Sequence, residues 1–149
     1  MNEEKANLGQ RILKIKQQLG LSWAQVGAAL GRSPVWCCAA CLGQMSMPKE
    51  LAEKAVALFD LSAEDGALLQ TIPYRGALPS VPPTDPLIYR FHELISVYGT
   101  TWKEMIQEEF GDGIMSAIDF DMSLERQPDP KGDRVRIVMS GKFLPYKQY

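Results

Sequence analysis

An arginine and a glutamate stand three residues apart in the run YRFHELISVYG, at Arg90 and Glu93. A serine, Ser116, follows a doubled glycine in GDGIMSAIDF. On a helix, a spacing of three projects both side chains from neighbouring points on one face. The guanidinium offers a planar fork to carboxylate-like groups. The serine hydroxyl can donate and accept. A guanidinium, a carboxylate and a hydroxyl on apolar elements would suit a small anion. The bland reading is an i, i+3 pair solvated on a helix and worth little, with a serine that only occupies a strand.

The elements that must position these groups lie between residues 84 and 120. Thr84 or Asp85 can cap a helix start, and Pro86 suits its first position. Leu87, Phe91, Leu94 and Tyr98 then recur at helical spacing. Gly99 reads as the end of that helix, with Thr100 or Thr101 opening a second that stops at Gly111. Residues 114–120 read as a strand carrying Ser116 near its start. Ile118, Phe120, Met122 and Leu124 alternate, and so do Val135, Ile137 and Met139, with a loop over residues 127–133. Ser140-Gly141 reads as a further hairpin turn before Lys142, Phe143 and Leu144 return.

The first half is helical. Leu8, Ile12, Ile15 and Leu19 mark one helix, stopped by Gly20. Ser22 with Gln25 forms a capping-box pattern for a second, which ends at Gly31. Ser33-Pro34 starts a third, Met47-Pro48 a fourth, and Ser62 caps a fifth that ends before Pro73. Helix, short glycine turn, helix is a helix-turn-helix arrangement, which raises a DNA-binding regulator as the competing function. The would-be reader, residues 34–44, is PVWCCAACLGQ and carries no charge. Base and phosphate contacts need Arg, Lys, Asn or Gln, and only Gln44 qualifies. Such a helix suits burial against protein.

The fold class that follows is α+β: an all-α helix-turn-helix-like bundle over residues 1–75, then a small α+β domain over 87–149. Between them, residues 76–86 hold four prolines and read as a stiff linker. A second half of this size buries little core alone, so association of chains, with strands pairing or swapping, is expected.

The runs YRFHELISVYGTT and EEFGDGIMSAIDF and the ending GKFLPYKQY closely resemble cyanase (cyanate hydratase, or cyanate lyase); TIPYRG and PTDP also resemble that family. The likeness is long and ungapped in the second half and looser in the first. It implies that Arg90, Glu93 and Ser116 are the catalytic residues, and all three are present. It implies a packing role for the helix-turn-helix-like domain, C-terminal domains interlocked in dimers, and five dimers in a homodecamer. It also implies the reaction. A bicarbonate oxygen attacks the cyanate carbon, the adduct loses carbon dioxide to give carbamate, and carbamate yields ammonia and a second carbon dioxide. No redox step occurs, so no organic cofactor and no metal is implied; bicarbonate is a co-substrate.

Two like-charged anions must then be held together. At ~4 Å and an effective dielectric of ~20 they repel by about 4 kcal/mol. Arg90 is the counter-charge, and Ser116 can orient one anion together with backbone N–H groups near Gly113. Two roles stay open for Glu93: orienting Arg90, or carrying a proton. The sole histidine, His92, reads as a surface or interface residue. A third class of function is a structural oligomeric scaffold in which Arg90 and Glu93 are interface salt bridges.

Composition bounds these readings. With 46% hydrophobic and 23% charged residues, the chain is ordinary for a globular protein. A net charge of −2 disfavours a nucleic-acid partner. The second half, with 8 basic against 11 acidic residues, is acidic, so an anion site there must be local. No apolar run is long enough to span a membrane, and the polar N-terminus shows no export signal. Cys37, Cys38 and Cys41 read as small residues of a helical core in a cytoplasmic protein, not as zinc ligands.

Overall fold

The computed structural model describes residues 3–76 and 81–148. Residues 77–80 of the proline-rich stretch, and Tyr149 at the end, lie outside the described residues. The chain divides into two compact units, Met1–Ala77 and Leu78–Tyr149.

The first unit is five helices: α1 (Glu3–Gln18), α2 (Trp23–Leu30), α3 (Pro34–Cys41), α4 (Lys49–Phe59) and α5 (Ala63–Gln70). The caps fall where the sequence puts them. Ser22 Oγ accepts from the Gln25 N–H, Gln25 Oε1 accepts from the Ser22 N–H, and Gly31 closes α2 with a φ of 71°. Leu8, Ile12, Val26, Leu30, Cys37, Ala52, Ala55 and Phe59 build the core. α3 stops at Cys41, not at residue 44, because Leu42 leaves helical geometry and Gly43 turns with a φ of 82°. Cys37 and Cys41 are in the core, as the sequence suggests, and Cys38 is half-buried. Burial pushes all three thiols up, Cys41 to about 12.

One ion pair ties the ends of this unit. Arg11 of α1 donates two hydrogen bonds to the buried Asp65, at 2.9 and 2.7 Å. Asp65 also accepts from the Ser62 N–H in the cap of α5. The Arg11 fork holds the Asp65 carboxyl down at about 2. An unfolded aspartate titrates near 3.9, so the folded value is depressed. The pair therefore contributes fully above about pH 4, and its contribution is lost as pH falls towards about 2. Asp65→Ala is expected to cost the helical unit about 1–3 kcal/mol at neutral pH. In thermal melts followed by circular dichroism, the gap between variant and parent should shrink between pH 4 and 2. A gap as wide at pH 2 as at pH 7 would exclude this account.

The second unit is one helix and one hairpin: α6 (Pro86–Phe110), β1 (Gly113–Gln127) and β2 (Arg134–Pro145). Asp85 caps α6 by accepting from the N–H groups of Leu87 and Ile88, each at 2.9 Å. The two helices expected here are one. Gly99 sits inside a continuous helix and has no positive φ, so it supplies no left-handed stop. The apolar stripe also keeps its phase through it, from Leu94 and Tyr98 to Trp102 and Met105. An interior glycine costs about 1 kcal/mol against alanine, too little to break a helix whose pattern continues.

β1 and β2 pair antiparallel, from Gly113 opposite Pro145 to Gln127 opposite Arg134. The hairpin reverses over residues 128–133, at the predicted loop. The expected second turn at Ser140-Gly141 is absent: Ser140 pairs with Asp121 and Gly141 with Phe120 inside β2. What interrupts the ladder instead is an irregularity in β1 between Met115 and Phe120.

Candidate active site

Arg90 and Glu93 lie on the second and third turns of α6. Their side chains meet, Arg90 Nη1 donating to Glu93 Oε2 at 3.3 Å. Within one chain the pair is 65% and 52% exposed, so solvent weakens it. What α6 supplies is geometry: both heads project from one face, with the guanidinium also 5.9 Å from the Tyr89 ring. An open groove of about 480 Å³, lined by Pro82, Pro83, Thr84, Pro86 and Tyr89, runs beside Arg90. His92 is exposed, with its ring 5.9 Å from that of Tyr89.

Ser116 is placed quite differently. It is 5% exposed, the one buried residue among the described residues of the second unit. It opens the β1 irregularity, where residues 116–119 lie opposite the single residue Lys142. The Ser116 Oγ accepts from the Ile118 N–H at 3.0 Å and from the Asp119 N–H at 2.9 Å. A hydroxyl has two acceptor positions and one proton. Both acceptor positions are taken, so the hydroxyl keeps its proton to donate. No hydrogen bond or ion pair among the described residues joins Ser116 to Arg90 or Glu93. Among the described residues the first two are bonded to each other and neither is bonded to the third.

Sequence reasoning names the three residues but does not show the bulge in which the serine sits. The available signal was Gly141, a glycine in an alternating strand pattern, which marks a bulge as readily as a turn.

The second unit also leaves its apolar surface uncovered. α6 has no buried residue; Leu87, Phe91, Leu94, Tyr98, Trp102 and Met105 are all exposed within the chain. On the hairpin so are Ile114, Ile118, Leu124, Val135 and Leu144. No helix is long and apolar enough to cross a membrane among the described residues.

These features define an α+β protein whose helix-turn-helix-like unit precedes a helix-plus-hairpin unit bearing Arg90, Glu93 and Ser116. Residues 80–148 match the cyanate lyase C-terminal domain, and residues 5–73 match the cyanate hydratase N-terminal domain. The chain is 63% identical to the cyanate hydratase of Ralstonia pickettii over 91% of each protein. It is 58% identical to that of Polynucleobacter asymbioticus over 94% of this chain and 95% of the relative. The crystal structure of cyanase from T. urticae superposes with a TM-score of 0.81 at 38% identity, covering 93% of this chain and 96% of that one. The chain belongs to the cyanate hydratase family.

The regulator reading is correspondingly disfavoured, and α3 gives the physical reason. Its buried side is Cys37, Ala40 and Cys41, and the rest of it carries no charged group. Random-sequence DNA is expected to bind at most weakly and in a salt-sensitive way. A sequence-selective, nanomolar complex at physiological salt would reverse that conclusion.

Proposed function

We propose that this chain is an active cyanate hydratase that decomposes cyanate with bicarbonate, through carbamate, to ammonia and carbon dioxide. The observation that carries this is the presence of Arg90, Glu93 and Ser116 in a chain matched to its relatives across both domains. Arg90 is the counter-charge for two anions, and its fork can hold a carboxylate-like oxygen pair. Ser116 donates its free proton to one anion. Attack of the bicarbonate oxygen on the cyanate carbon leaves charge on nitrogen, which must take a proton. Loss of carbon dioxide gives carbamate, and a second proton releases ammonia. Glu93, beside Arg90, orients the fork and is the nearest candidate to pass a proton. No electrons change hands overall, so the scheme calls for no redox cofactor.

The same reading places the site between chains of a homodecamer built from dimers. Two observations support it: α6 has no buried residue within the chain, and among the described residues no hydrogen bond or ion pair links Ser116 to Arg90 or Glu93. A symmetric assembly would cover the first and join the second. Three free cysteines fit a reducing compartment, so we place the enzyme in the cytoplasm. The decisive experiment measures ammonia from cyanate with and without bicarbonate. Release that requires both anions is the expected result. A scaffold protein would release none, and release without bicarbonate would remove the co-substrate from the scheme.

A further inference from the structure

We propose that Gly141 is a positioning residue for Ser116: its missing side chain makes room for the β1 bulge that fixes the serine hydroxyl as a donor. The inference rests on the reading of Ser116 as a substrate-binding group. A Cβ built on Gly141 would overlap the Ser116 carbonyl oxygen and stand 2.7 Å from Met115 Cγ and 3.3 Å from Phe120 Cδ2. The first of these is backbone, which cannot swing aside as a side-chain end can. Gly141 has no positive φ, so the requirement is for space and not for a special backbone conformation.

The consequence runs through the ladder. Gly141 pairs with Phe120 and Phe143 with Met115, so residues 116–119 must fold outward opposite Lys142. That fold turns the N–H groups of Ile118 and Asp119 back onto Ser116 Oγ, at 3.0 and 2.9 Å. It also leaves Ile118 98% exposed within the chain, so packing of that side chain does not hold the bulge. The local devices are the two N–H bonds and the space at position 141. An added methyl group would press on the serine's own carbonyl and move the hydroxyl. A displacement of about 1 Å at such a group can cost on the order of 100-fold in rate.

The test is a double-mutant cycle on the full-length protein, with assembly checked by size. Gly141→Ala is expected to lower kcat/KM for cyanate at least about tenfold in the Ser116 background. In the Ser116→Ala background, assayed at enzyme concentrations high enough to read its small residual rate, the same change should have less than about a twofold effect, because the group it displaces is gone. Equal losses in both backgrounds would show a general structural defect and overturn the proposal, as would parental kinetics in Gly141→Ala. Full activity in Ser116→Ala alone would instead sink the reading of Ser116 as a site residue. Amide hydrogen exchange covers the case in which Gly141→Ala does not assemble. The Ile118 and Asp119 amides should be protected in the parent and exchange at least about tenfold faster in Ser116→Ala. Unchanged exchange there would overturn the bulge-holding role of the hydroxyl.

Discussion

Arg90→Lys is expected to lower turnover on the order of 100-fold while the assembly stays intact, as judged by size and thermal melting. The two side chains carry the same charge, so a long-range field would barely change. What lysine lacks is the planar fork. Its ammonium is a strongly hydrated point charge and cannot hold two oxygens of one anion in register. On the proposed scheme the reaction joins two anions, whose repulsion at contact is about 4 kcal/mol at an effective dielectric of ~20. Offsetting it needs a counter-charge already fixed in place, because a group that must reorganise during the reaction loses most of its advantage. Within the chain Glu93 accepts from Arg90 at 3.3 Å across one helical turn, and on the proposed reading the cover that an assembly supplies lets that bond hold the fork. Steady-state rates of ammonia release check this. Parental kinetics in Arg90→Lys would mean that charge alone suffices and that the fork is incidental.

Mixing two inactive variants should restore activity. Arg90→Ala and Ser116→Ala assemblies, dissociated together and allowed to reassociate, would form sites that draw Arg90 from one chain and Ser116 from another. If each site takes the two groups from different chains, about a quarter of randomly formed sites recover both. Activity should therefore rise from near zero to a substantial fraction of the parental value. The structural motive is direct: Arg90 and Glu93 meet within one chain, and Ser116 meets neither. The uncovered stripe of α6, from Leu87 to Met105, supplies the reason for chains to come together. Labelled subunits would report whether mixed oligomers form. Mixed oligomers that stay inactive would assign all three residues to the same chain.

Much of the fold is legible in the order of the residues alone. Caps and apolar spacing locate the five helices of the first unit, because Ser22 and Ser62 act through bonds three residues long. The alternation of β1 and β2 is equally local. The errors arise where one residue type serves two purposes. Gly99 can stop a helix or sit within one, and only the continuing stripe through Trp102 and Met105 decides. Gly141 can turn a chain or admit a neighbouring backbone, and the choice belongs to the opposite strand.

Residue order places Arg90 and Glu93 on one helical face, puts Ser116 after its glycines and leaves α3 without charge. Spacing along a single element fixes those relations. Tertiary structure alone decided how the serine is held, because that depends on partners far apart in the chain. Gly141 lies 25 positions beyond Ser116, and only strand pairing brings it against the serine carbonyl. The bulge and the two N–H groups on Oγ likewise depend on how β1 pairs with β2. No local propensity encodes a contact between distant segments, so none of these could be read from residue types in order.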